Sequence, residues 1–124
     1  MEALVVDDSR AMRMLLCGLL GELGFVTRDA ENGRTALGVL DDGKHPPAVV
    51  LVDWNMPEMN GLELITAIRE RECYSDLPLL VVTSETGVSE MRAALDAGAN
   101  EYLVKPFSRE ELAARLELAG VSAG

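Results

Sequence analysis

The stretch LVDWNMPEMNG, from Leu51 to Gly61, decides how this chain is read. It continues an apolar run that begins at Pro47, and the run stops on Asp53. A short, unbroken apolar run bounded by turn residues reads as a strand covered on both faces. An ionised aspartate at the rim of such a strand is costly unless something pairs with it. The ends of the other apolar runs supply candidates for that pairing.

ALVV at 3–6 is followed by Asp7-Asp8, LPLLVV at 77–82 by Thr83-Ser84, and EYLV at 101–104 by Lys105-Pro106. FVTRD at 25–29 is a mixed run and predicts an edge strand. Between the runs lie helix-period segments. The first is capped by Ser9, has Met12, Leu15, Leu16, Leu19 and Leu23 on its apolar face, and ends at Gly24. The second spans Asn32 to Asp42 with Ala36, Leu37 and Leu40 inward; the third is capped by Asn60 with Leu62, Ile65 and Ile68 inward. The fourth covers 88–97, uses Val88, Met91 and Leu95, and closes at Gly98. The last opens with a Ser108–Glu111 capping box and uses Leu112, Leu116 and Ala119. Five strand–helix units with continuous apolar strands predict an α/β fold, a parallel sheet with helices on both faces and right-handed crossovers. Ligands of such sheets bind beyond the carboxyl ends of the strands.

The 124 residues, 48% of them apolar, suit one domain, assigned to residues 1–120, with 121–124 a flexible tail or linker stump. No apolar stretch reaches the ~20 residues of a membrane span. The N-terminus lacks a signal-peptide pattern, so a cytoplasmic location is expected. Cys17 and Cys73 have no metal-ligand spacing and are read as reduced thiols. His45, the single histidine, is read as a solvated loop residue. A net charge of −10 argues against direct nucleic-acid binding by this chain.

The strand ends therefore gather Asp7, Asp8, Asp53, Thr83 and Lys105 in one crevice, and Asp53 is not alone. Each residue has an ordinary explanation, as a helix cap, a strand-end hydroxyl or a solvated lysine. Their joint convergence from distant parts of the chain does not. Three neighbouring carboxylates invite a cation, and an all-oxygen set that retains water suits Mg²⁺. A carboxylate can attack phosphorus to form an acyl phosphate, with a metal and a lysine neutralising the transferred group. Phosphoryl transfer onto Asp53 is the reaction these parts fit best.

With Asp7-Asp8, Asp53 followed by Met56-Pro57 and Gly61, Thr83-Ser84 and Lys105-Pro106, residues 3 to about 119 resemble the receiver domains of bacterial two-component response regulators. The segment DWNMPEMNGLELI is most similar to the single-domain chemotaxis regulators. The resemblance implies a flavodoxin-like (βα)5 sandwich with strand order 2-1-3-4-5. It makes Asp53 the phosphoacceptor. Asp8, Asp53 and the backbone carbonyl of Asn55 would bind Mg²⁺ directly, and Asp7 mainly through water. It gives Lys105 and Thr83 contacts to the phosphoryl oxygens, makes Tyr102 the switch partner of Thr83, and makes the bond before Pro106 cis. Asn55 and Glu85 would tune hydrolysis of the phosphoaspartate. Such a domain assists its own phosphorylation but is a signalling module rather than an enzyme. Its phosphodonor would be a histidine kinase, a histidine phosphotransfer protein or a small phosphodonor. Its output would be a protein partner docked on the fourth helix, fifth strand and fifth helix, from about Val88 to Ala119, with the domain itself monomeric. If Thr83 moves toward the phosphoryl group, the Tyr102 ring is expected to fill the vacated space. Ser84 and Asn60 stand where the family more often has alanine and aspartate.

The other readings are a receiver cut from a longer regulator with a DNA-binding or cyclic-dinucleotide output, an aspartate-nucleophile phosphatase and a flavin-binding domain. The phosphatase reading fails at Asn55, which cannot act as the second acid. Asp7-Asp8 would repel a flavin phosphate.

Overall fold

The strands that read as continuous apolar runs form the three central strands of the sheet and one of its edges. In the computed structural model, which describes residues 1–42 and 45–122, these are β1 (Glu2–Val6), β3 (Val49–Asp53), β4 (Leu79–Thr83) and, at the edge, β5 (Glu101–Val104). β2 (Val26–Ala30) is an edge with most residues at least partly exposed. The sheet is parallel throughout, in the order β2-β1-β3-β4-β5. The helices are α1 (Arg10–Glu22), α2 (Gly33–Asp42), α3 (Gly61–Arg69), α4 (Val88–Ala97) and α5 (Arg109–Leu118), with a 3-10 turn at Glu72–Tyr74.

Side chains alternate across a strand with a period of two, so each strand feeds two cores. Ala3, Val5, Val49, Leu51, Leu80, Val82 and Leu103 pack with Leu16, Leu20, Leu112 and Leu116 of α1 and α5. Leu4, Val6, Val50, Val52, Leu79, Val81 and Tyr102 pack with α2, α3 and α4. Three helix faces differ from the sequence expectation. In α1 the buried pair is Leu16 and Leu20, while Leu15 is exposed. In α3, Leu64 is buried beside Ile65 and Ile68, while Leu62 faces outward. In α4 the buried residue is Ala94, and Val88 and Leu95 are 77% and 49% exposed. A helix lying on a sheet buries a narrow stripe. In α4 a small residue occupies that stripe, which leaves the larger apolar side chains in water.

Val121 is buried against the α1/α5 core, and its N–H donates to Leu116 O at 2.9 Å. The flexible stretch expected over 121–124 therefore does not include Val121; Ala123 and Gly124 lie outside the described residues. The capping boxes of Asn60 with Glu63 and of Ser108 with Glu111 are both formed.

Arg69, at the end of α3, holds the far end of α4. Its Nε and Nη2 donate to Gly98 O at 3.1 and 2.8 Å, Nη1 to Tyr74 O at 2.7 Å, and Nη2 also to Asn100 Oδ1 at 3.0 Å. That same Asn100 oxygen accepts from Leu79 N at 2.8 Å. Gly98 closes α4 at φ +121°, and a Cβ there would sit 2.8 Å from Arg69 Cγ. The opposite end of α4 starts at Gly87 with no side-chain cap.

Candidate functional site

The carboxyl edge of the sheet brings four strand ends together. Asp53 closes β3 and Thr83 closes β4, while Asp7-Asp8 and Lys105 directly follow β1 and β5. Continuing the alternation of each strand puts Asp7, Asp53 and Lys105 toward the α1/α5 side. The same count puts Asp8, Thr83 and Tyr102 toward the α2–α4 side. Lys105 Nζ accordingly lies 3.5 Å from Asp7 Oδ2 and 3.5 Å from Asp53 Oδ1, bridging two strand ends as an ion pair at the long limit of hydrogen bonding.

Asp7 and Asp53 are 1% and 6% exposed, whereas Asp8 is open to water. One carboxylate oxygen from each of the three lies within 4.8 Å of the others. Burial pushes the Asp53 carboxyl up from 3.8 to about 6. The charge of Asp7 and a hydrogen bond with Asp8 push the same way, while Lys105 and the Asn55 backbone N–H oppose them. One ammonium against three carboxylates leaves negative charge uncompensated. The donors are all oxygen and one side is open for water, so the residues fit a hard dication such as Mg²⁺.

Asp7 is held on all sides. Its N–H donates to Ala30 O at 3.2 Å, and its Oδ1 accepts from Ser9 N at 2.8 Å. Its carbonyl accepts from Arg13 Nη1 at 2.8 Å, and Arg13 Nε pairs with Asp29 Oδ2 at 2.9 Å. Sequence reasoning missed Arg13 and Asp29. The available signal was an arginine set between the apolar positions Met12 and Leu16 in the first turn of α1, which follows the acidic pair.

The loop after Asp53 returns sharply to α3. Met59 N donates to Pro57 O at 2.8 Å around Glu58, whose φ is 65°, so a γ-turn is formed there. Gly61 N donates to Trp54 O at 3.0 Å, and a Cβ on Gly61 would lie 2.8 Å from Asp53 O and 2.9 Å from Trp54 Cα. Only a glycine lets the start of α3 rest on the strand end that carries Asp53. Asn55, in this loop, is exposed.

Thr83 is fully buried, and its Oγ1 accepts from Glu85 N at 3.0 Å. The Tyr102 hydroxyl donates to Glu85 O at 2.6 Å. The Tyr102 ring is inward, at 4% exposure, on the same side of the sheet as Thr83. Glu85 thus links the two residues of the expected switch. The Lys105–Pro106 peptide is cis.

Residues 3–117 match the family model described as the response regulator receiver domain. The chain belongs to that family. It is 44% identical to the chemotaxis protein CheY homolog of Campylobacter jejuni over 118 residues, covering 94% of this chain and 90% of the relative. It is 41% identical to chemotaxis protein CheY1 of Helicobacter pylori, covering 95% of each. The solved chemotaxis response regulator CheY4 of Vibrio cholerae superposes with a TM-score of 0.88 at 33% identity, covering 95% of this chain and 97% of that one. This receiver is therefore of the CheY type, a signalling domain with the flavodoxin-like strand order. No described helix is long and apolar enough to cross a membrane.

Proposed function

We propose that this receiver accepts a phosphoryl group on Asp53 from a histidine kinase or histidine phosphotransfer protein. The observation that carries the reading is the placement of Lys105 between Asp7 and Asp53, beside an open Asp8. Asp53 attacks phosphorus, an O–P bond forms, the N–P bond of the donor phosphohistidine breaks, and the imidazole leaves. With its carboxyl raised only to about 6, Asp53 is mostly ionised at neutral pH and available as the nucleophile. Lys105 Nζ offsets charge on one phosphoryl oxygen, and the Thr83 hydroxyl donates to another. Asp8, Asp53 and the Asn55 carbonyl would hold Mg²⁺, with Asp7 acting through water; the ion supplies charge neutralisation when bound. Asn55 and Glu85, both exposed, stand where they can influence attack of water on the phosphoaspartate.

The signal is read by a protein partner on α4, β5 and α5, where Val88 and Leu95 offer exposed apolar surface. Drawing Thr83 Oγ1 toward the phosphoryl group disturbs its bond from Glu85 N, and Glu85 O holds Tyr102. A 10- to 100-fold preference of the partner for one state needs only about 1.4–2.7 kcal/mol of coupling. We place the domain in the cytoplasm as a monomer within a two-component, chemotaxis-type pathway.

The test is labelling with acetyl phosphate and Mg²⁺. Asp53→Asn should abolish the acid-labile product. Label at wild-type level in that variant, or mapped to Asp7 or Asp8, rules the assignment out.

A further inference from the structure

We infer that Arg13, braced by Asp29, is a positioning residue that sets the Asp7–Asp8 peptide so that Asp8 can bind the cation. The inference rests on reading Asp7, Asp8 and Asp53 as a Mg²⁺ site.

Arg13 lies on the first turns of α1 with its side chain 14% exposed. Its guanidinium spans two elements, since Nη1 donates to the Asp7 carbonyl and Nε to Asp29 on β2. Asp29 is in register with Val5 of β1, two residues before Asp7, and Asp7 N–H bonds the next β2 carbonyl, Ala30 O. The chain therefore closes a ring from β2 through Asp29 and Arg13 to the Asp7 carbonyl, and back through the Asp7 amide to β2. Both ends of residue 7 are fixed, and so is the peptide plane that aims the Asp8 side chain.

Asp8 needs that control more than its neighbours do. Asp7 has its own anchor in Ser9 N, and Asp53 is inside the sheet. Asp8 is exposed and lies outside the strand, so its aim depends on the peptide that precedes it. A fork of fixed geometry suits the bridging task, whereas a lysine ammonium cannot reproduce both directions with the same rigidity.

Charge and positioning predict opposite signs. Arg13 is a cation near an acidic site, so if it acted through charge alone, removing it would tighten binding of a dication. If it positions Asp8, removing it weakens binding. Outer-shell partners of metal ligands are commonly worth 10- to 100-fold in affinity, and the low end suits a site that keeps much of its water.

The experiment is Mg²⁺ titration of the whole chain followed by Trp54 emission, with wild type, Arg13→Met, Arg13→Lys and Asp8→Ala, and with circular dichroism as the check on folding. Arg13→Met should weaken Mg²⁺ binding about 10-fold, and Arg13→Lys should weaken it by a smaller factor despite keeping the charge. Equal or tighter binding in either folded variant overturns the inference, and Arg13→Lys decides if Arg13→Met does not fold. If Asp8→Ala titrates like wild type, the metal-site reading falls, and Arg13 has no ligand left to place.

Discussion

Asp53→Asn should make the metal-free protein more stable at neutral pH, although it removes the proposed nucleophile. The Asp53 carboxyl is raised from 3.8 to about 6, mainly by burial and then by the charge of Asp7. The folded state therefore holds this proton more tightly than the unfolded chain does. Stability contributed here is present below pH 3.8 and is lost as pH rises through about 6. A rise of that size corresponds to about 3 kcal/mol, and water on the open Asp8 side screens it to about 2 kcal/mol. Asparagine keeps the shape, can accept from the Asn55 N–H, and can donate to Asp7. With an unfolding entropy of about 2.1 cal/mol/K per residue, 124 residues give a Tm shift of about 4 °C per kcal/mol, hence about 8 °C. The assay is thermal or urea unfolding of both proteins in chelator across pH 4.5–7.5. Repulsion among the remaining acidic residues is nearly common to both and drops out of the difference. The difference should be largest above about pH 6.5 and shrink toward pH 4.5, and saturating Mg²⁺ should narrow it by stabilising wild type more than the variant. A variant no more stable than wild type at pH 7.5, or a gap independent of pH, would refute the reasoning.

Gly61→Ala should cost about 1–3 kcal/mol in urea unfolding, because its Cβ meets the Asp53 carbonyl and the Trp54 Cα rather than a flexible side-chain end. Lys105→Met removes the cation that opposes the rise at Asp53, so carboxyl-carbon NMR should place its titration above about 6, while Mg²⁺ affinity should hold or rise and phosphoryl-dependent signalling should fall. Thr83→Ala should still take up phosphate on Asp53 but lose most of the affinity ratio between phosphorylated and unphosphorylated forms for a partner; a full ratio would remove Thr83 from the switch. Tyr74→Phe should cost about 1–2 kcal/mol, since the buried hydroxyl donates to Leu40 O at 2.6 Å and truncation leaves that carbonyl short of a partner.

The sheet and the core of the site were legible because both depend on residues whose signal is local. An apolar run that stops on Asp53, Thr83 or Lys105 marks a strand end, and parallel topology puts all such ends on one edge. The helix faces were less legible. Leu62, Val88 and Leu95 are apolar at plausible spacing, yet α3 and α4 turn Leu64 and Ala94 to the sheet, a choice made by close packing that hydrophobicity alone does not encode. Arg13 was less legible for a different reason: an arginine between Met12 and Leu16 is a weak signal, and its partners, a backbone carbonyl and a residue on another strand, leave no mark in sequence spacing. The Tyr102 hydroxyl donates to the Glu85 carbonyl, which any residue at that position would supply.

The Arg69 clasp makes α4 a lever with its fulcrum at Gly98. Ten residues span about 15 Å, so a swing of about 10° about that fulcrum carries the Val88 end between roughly 2 and 3 Å while the Ala97 end stays in place. The end away from the clasp follows Thr83 and Glu85 in the chain, so a pull at the site would act on the end of α4 farthest from Gly98. A partner gripping Val88 would sense that travel; one gripping Asp96 would sense almost none.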